Sequence, residues 1–186
     1  ILMELARVAE KQKDYHGTLS YLAHARALEP QNPAIHFFFG VVCGEMNLVE
    51  ESYRSLRQAV AMKPENPYYN YAAGVAAEQK NQHREAVRYF QRYCELKPDD
   101  VRGKLALGIA YFYSHDLELA REQLTLAEKR PETAATAHYY LARVSSQQGN
   151  LAEAFQRIEQ TLKLAPDFPG AYAEVGHIYF KEKEYA

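Results

Sequence analysis

Seven histidines, two cysteines and several carboxylate pairs are the residues of this chain that could do chemistry. Zinc catalysis on a helix needs two histidines four apart with a glutamate between them. His16, His24, His36, His83, His115, His138 and His177 offer no such pair, and each reads as structural or surface. Cys43 and Cys94 lie far apart, fit neither a disulfide framework nor a paired metal knuckle, and read as free buried thiols. Glu50 with Glu51, and Asp99 with Asp100, fall at expected helix starts, where the dipole favours negative charge. Capping accounts for them. Lys129 and Arg130 end an expected helix and balance the opposite end of its dipole. The chain carries no glycine-rich phosphate loop and no nucleophile elbow. The expectation is a protein that is not an enzyme, with no catalytic residues, no metal site and no cofactor.

Composition narrows the partners. Charged residues make up 25% of the chain and nearly cancel, leaving a formal charge of -2. A nucleic-acid or anionic-membrane binder normally carries a basic excess, so neither is expected. No apolar run reaches the ~18 residues of a membrane span. The opening Ile1-Leu2-Met3 lacks the basic lead-in and cleavage site of a signal peptide. It already sits inside a helical pattern, which reads as a fragment of a longer repeat array. Signals for compartment then lie outside it, and cytoplasm and periplasm both stay open.

The elements follow from a period of thirty-four. Small residues recur at Ala6, Gly40, Gly74, Gly108, Ala142 and Gly176. Prolines recur at Pro30, Pro64, Pro98, Pro131 and Pro166, and Leu5-Ala-Arg-Val8 returns as Leu141-Ala-Arg-Val144. Within each period a helical stretch ends at Asn47, Asn81, His115 or Gly149. Asn and Gly are the residues that tolerate the left-handed conformation of a helix C-cap. A second helical stretch stops before proline, which disfavours helical geometry in the residue preceding it. With no strand-like alternation, the chain reads as all-α, with six first helices and five second helices. One hairpin cannot bury its apolar face alone, so neighbours stack. The small residues would face Thr18, Ser52, Ala86, Ala120 and Ala154 across each hairpin, with Leu22, Leu56, Phe90, Leu124 and Ile158 one turn on.

These residues carry a family resemblance. Leu107-Gly108-x-x-Tyr111, followed by Ala120 and Leu124, resembles the signature of the tetratricopeptide repeat family, as do Ala86-x-x-x-Phe90 with Pro98 and Gly176-x-x-Tyr179. The resemblance covers the chain: repeats at about 1–32, 33–66, 67–100, 101–134 and 135–168, and the first helix of a sixth at 169–186. It implies a single domain, a right-handed α-solenoid of stacked antiparallel hairpins. The tryptophan of the signature is missing; Leu2, His36, Asn70, Lys104, His138 and Tyr172 hold its place. Such regular repeats with short turns look bacterial within the family.

The segment Pro33–Asn47 is apolar on almost every side, although a surface helix shows one apolar stripe. At 100° per residue, His36, Phe39, Gly40 and Cys43 form one side, which meets the partner helix. Phe37 and Val41 lie on the other. In the family that second side lines a concave groove for peptide segments. The same register gives Tyr68, Tyr71 and Val75 in the third repeat, and Arg102, Leu105, Ile109, Phe112 and Tyr113 in the fourth. Tyr139 and Arg143 continue it in the fifth. The resemblance therefore implies an interaction scaffold that takes a peptide or helix of a protein partner in an apolar, aromatic groove. Arg102 and Arg143 are candidate anchors for a partner carboxylate. The two-carboxylate clamp of chaperone-binding relatives needs Lys and Asn where Phe37, Val41, Tyr68 and Ala72 stand, which argues against that partner class. Two other roles fit the same repeats: a regulatory or targeting arm of a larger enzyme, and a spacer that self-associates through its end repeats as a homo-oligomer.

Overall fold

The computed structural model describes residues 1–185, and among them all regular structure is helical. The helices pair as antiparallel hairpins in two compact units, Ile1–Lys97 and Pro98–Ala186. The first unit holds α1 (Leu2–Lys11), α2 (Tyr15–Leu28), α3 (Pro33–Glu45), α4 (Val49–Met62), α5 (Pro67–Gln79) and α6 (His83–Leu96). The second holds α7 (Val101–Tyr113), α8 (Leu117–Ala127), α9 (Pro131–Gln147), α10 (Leu151–Leu164) and α11 (Ala171–Tyr185). The expected six first and five second helices are all present. No described helix is long and apolar enough to cross a membrane.

Local chemistry explains where each helix starts and stops. Asn32, Asn66 and Asp100 accept backbone N–H groups at the N-termini of α3, α5 and α7, and Pro33 and Pro67 occupy the first turn. Proline costs nothing there because that N–H has no partner within the helix. The first helices α1, α3, α5, α7 and α9 each end at a residue with positive φ: Lys13 at 59°, Asn47 at 58°, Asn81 at 58°, His115 at 66° and Gly149 at 80°. The next N–H then turns back to the carbonyl five residues earlier, as in Leu48 N to Cys43 O (2.8 Å) and Gln82 N to Ala77 O (2.8 Å). This is the Schellman closure, which satisfies an orphan carbonyl. The four caps named from sequence take this conformation, and Lys13 joins them.

The fifth repeat departs from the expected boundary at 135. There α9 starts at Pro131 and α8 is correspondingly short. The early proline acts as the first helical residue, and Thr133 Oγ1 donates to Ala127 O at 2.6 Å to secure the turn. The place of the missing tryptophan also has a use. His36 Nε2 lies 2.8 Å from Pro30 O, and Asn70 Nδ2 donates to Pro64 O at 2.8 Å. A polar side chain thus pins the inter-hairpin loop to the following helix. His138, in the same register, instead sits beside Arg157 and 3.4 Å from Glu128. Burial holds its pKa below the ordinary imidazole value.

The helix pairs meet at the small residues, in a way that corrects the expected pairing. A Cβ added at Gly40 would stand 2.6 Å from Leu56 Cγ, one at Gly74 2.6 Å from Phe90 Cε1, and one at Gly108 2.7 Å from Leu124 Cγ. The glycines therefore sit directly under the large residue of the partner helix, and Ser52 faces Gly44 one turn later. The longer side chain reaches back toward its own N-terminus and covers the position expected for the smaller one. Leu56, Phe90 and Leu124 are each buried to within 3%. Each such burial is worth about 1.5–3 kcal/mol. Gly176 on α11 has nothing within 4 Å of its added Cβ. Gly108→Ala is therefore expected to cost about 1–3 kcal/mol through overpacking. Gly176→Ala is expected to gain up to about 1 kcal/mol from helix propensity. Urea unfolding of the two variants measures both.

Candidate functional site

In the first unit one stripe of α3 carries the open face: Ala34, Phe37, Phe38, Val41, Gly44 and Glu45. Its two halves wall two cavities. Ala34, Phe37 and Phe38 face Met3, Arg7 and Lys11 of α1 across a cavity of about 410 Å³. Val41, Gly44 and Glu45 face Tyr71, Val75 and Gln79 of α5 across a cavity of about 370 Å³. Small residues make the second one: Gly44 on one wall, Ala72 and Ala76 on the other, with buried Ser52 and Leu56 of α4 at its floor. Phe37 stacks on Tyr69 with ring centroids 4.8 Å apart, and Tyr71 is braced by Phe90 (5.6 Å) and Tyr93 (5.0 Å). These rings are held in place before any ligand arrives. Val41, Tyr71 and Val75 are thus brought together, while Phe37 belongs to the neighbouring cavity. Tyr68 stands apart from both, 59% exposed, with Lys97 Nζ 6.0 Å from its ring centroid.

The second unit is built differently. Leu105 and Ile109 of α7 are half-buried. Phe112 is only 2% exposed, so it supports the face without presenting itself to a ligand. The Arg143 guanidinium covers it, 4.6 Å from the ring centroid, and also lies 5.6–5.7 Å from the rings of Tyr113, Tyr139 and Tyr140. Arg143 Nη1 donates to Tyr113 Oη at 3.4 Å, and Nε lies 3.8 Å from Glu174 Oε2 on α11. Burial first, then the contact with Tyr113, pushes the Tyr140 phenol well above its usual pKa. Tyr139 packs on Phe168 at 5.0 Å. Arg143 is therefore a pillar of the unit, its charge already met by Glu174. Arg102 is likewise engaged: Nε and Nη2 grip Asp100, the N-cap of its own helix, at 3.0 and 2.7 Å. Neither arginine stands as the free anchor the sequence suggested.

Sequence reasoning put Tyr113, Tyr139 and Arg143 on the stripe but missed the aromatic box, because Tyr140 lies one residue off it. The usable signal is the run of adjacent aromatic pairs, Phe112-Tyr113 and Tyr139-Tyr140, opposite a single arginine. The two cysteines are buried thiols. Burial, then Glu51, pushes the Cys43 thiol up to about 11, so it is a packing residue and not a nucleophile.

Repeated helix hairpins, three of them with a glycine directly under the large residue of the partner helix, define a helix-hairpin repeat protein. The family described as the tetratricopeptide repeat-like domain matches residues 38–186, and the chain belongs to it. No curated protein matches the sequence. Solved structures agree in fold. One is YrrB, described as a TPR protein with an unusual peptide-binding site. It superposes with a TM-score of 0.84 at 19% identity, over 92% of this chain and 89% of its own. MamA from Desulfovibrio magneticus RS-1 superposes with a TM-score of 0.82 at 16% identity, over 90% of this chain and 95% of its own. At such identities the likeness is one of fold.

The contrast between the two arginines is measurable. Arg143→Met takes from Glu174 its arginine partner and from the four rings their cation, and is expected to cost about 1–3 kcal/mol. Arg102→Ala removes an exposed pair and is expected to change stability by no more than about 0.5 kcal/mol. Thermal unfolding followed by circular dichroism separates the two.

Proposed function

We propose that this protein is a non-catalytic interaction scaffold whose first-helix face in the unit Ile1–Lys97 receives a segment of a protein partner. One observation carries the reading. The cavity between α3 and α5 has mostly apolar walls, one braced aromatic ring at Tyr71 and an exposed rim at Val75, Glu45 and Gln79. Mostly apolar concave surface with a few polar rim groups suits ligand capture. Tyr71 adds broad contact area with a hydroxyl, which favours peptide over lipid. The near-neutral charge fits a mixed-charge partner better than a nucleic acid. The peptide-binding site named for YrrB, a protein of the same fold, agrees with this class of ligand.

In the second unit the same register contributes Leu105, Ile109 and Tyr139 as contact surface, while Phe112 and Arg143 hold that surface in place. The experiment is selection of a displayed random-peptide library on the immobilised protein, repeated on Val75→Lys. Val75 is 39% exposed, so its substitution leaves the core untouched. The wild type is expected to enrich peptides that Val75→Lys binds at least about tenfold more weakly, the loss of one buried apolar side chain. Enriched peptides that bind both proteins equally would remove this face as the site.

A further inference from the structure

The fifth repeat employs its histidine differently from the second. His36 and Asn70 each hold the proline carbonyl of the preceding loop. In the fifth repeat Pro131 opens the helix early and Thr133 secures the turn, so His138 turns to side chains instead. Its Nδ1 lies 3.2 Å from Arg157 Nη1 on α10 and 3.4 Å from Glu128, the C-cap of α8. The same Arg157 Nη1 donates to Glu128. A guanidinium keeps its protons and can only donate. His138 Nδ1 is therefore the acceptor in this contact, and the imidazole is neutral.

The contact belongs to a ladder of charge that is largely withdrawn from solvent. Arg157 Nε lies 3.6 Å from Glu153, which accepts from Arg121 Nη1 on α8 at 2.8 Å. Arg121 Nη2 donates onward to Ser145 Oγ (3.1 Å) and Gln148 Oε1 (2.6 Å) on the α9 side. Two arginines meet two glutamates, so the ladder is neutral as it stands, and none of these four side chains is more than 28% exposed. Its members come from α8, α9 and α10, and it ties the three together. Charges at that depth are tolerated while they are paired. A proton on His138 turns Nδ1 into a donor aimed at a guanidinium and leaves the ladder one positive charge in excess. Glu128 would welcome that proton, but it already accepts from Arg157. Helices α7 and α11 also pack on α9, and among the described residues neither brings a charged side chain that acts on His138.

We propose that His138 is an acid-operated latch joining α8, α9 and α10, closed while its imidazole is neutral and released in mildly acidic solution. Proton uptake sets the direction. The folded unit holds the ring neutral through burial, opposed by Glu128 and aided by Arg157, so its pKa lies below the ordinary one. The unfolded chain takes up the same proton near the ordinary value of about 6.5. The latch's contribution is therefore whole above that value and is lost as pH falls through it toward the folded one. Helix α9 also carries Tyr139 and Arg143, so release loosens the helix that holds the aromatic surface of the second unit in shape.

NMR of the whole chain tests the latch, with histidine labelled at Cε1 and backbone amides followed by hydrogen exchange. The His138 midpoint is expected below about 6.5 in the wild type. It should move upward in Arg157→Gln, where Glu128 faces the ring without a competing cation. A histidine that only fills space would not respond to that substitution. From pH 7 to pH 5, exchange of the α9 and α10 amides, corrected for intrinsic rate and referred to α3 and α4, is expected to accelerate at least about threefold. His138→Gln should abolish the acceleration. A wild-type midpoint at or above the ordinary value, no upward movement in Arg157→Gln, or no acceleration in the wild type overturns the latch. So does an acceleration that persists undiminished in His138→Gln. Should His138→Gln fail to fold, the midpoints of the wild type and Arg157→Gln decide alone.

Discussion

The close approach of two helices at one small residue per repeat is the constraint on which the rest of this structure depends. Gly40, Gly74 and Gly108 let Leu56, Phe90 and Leu124 press onto backbone, with the added Cβ distances of 2.6–2.7 Å leaving no space for a side chain. Glycine in mid-helix costs about 1 kcal/mol in propensity, and the burial of the large partner more than offsets it. The contact fixes the rotation of each first helix about its own axis. Once that rotation is set, the stripe Phe37–Val41–Glu45 has no choice about where it points.

A first helix of this kind therefore serves two masters. One side packs on its hairpin partner, and the opposite side walls cavities shared with the first helices before and after it. That division answers why Pro33–Asn47 is apolar nearly all round: His36, Gly40 and Cys43 are buried, while Phe37 and Val41 remain half-open. The two units spend this second side differently. Between α3 and α5 the small side chains of Gly44, Ala72 and Ala76 leave an open cavity beside Val41, Tyr71 and Val75. In the second unit Arg143, Tyr113 and Tyr140 fill the corresponding surroundings of Phe112 and make a pillar.

How far the sequence could be read depends on the range of the interaction involved. The helices, their caps and the glycine register are local or strictly periodic, so Asn47, Asn81, His115 and Gly149 could be named as caps from residue type and spacing. The partner of each glycine was off by one turn, because the backward lean of a long side chain is a three-dimensional fact. Side chains that leave the stripe were not legible. Arg102 folds back on Asp100 two residues earlier, and Arg143 finds Glu174 thirty-one residues later. Arginine is long enough to choose among several carboxylates, and spacing does not say which. The polar replacements at His36 and Asn70 looked like degeneration of the signature, yet they hold the proline carbonyls of their loops.

The central claim is that the α3–α5 cavity is an open apolar receptor for one guest side chain at a time. Methyl-detected NMR of the protein, titrated with N-acetyl-leucine amide, tests it most directly. The account predicts saturable shifts, in the millimolar range suited to so small a ligand, at the methyl groups of Val41, Ala72, Val75 and Ala76, with Val144 of the second unit unmoved. Shifts that never saturate, or that fall on the core methyls as strongly as on these four, would contradict it.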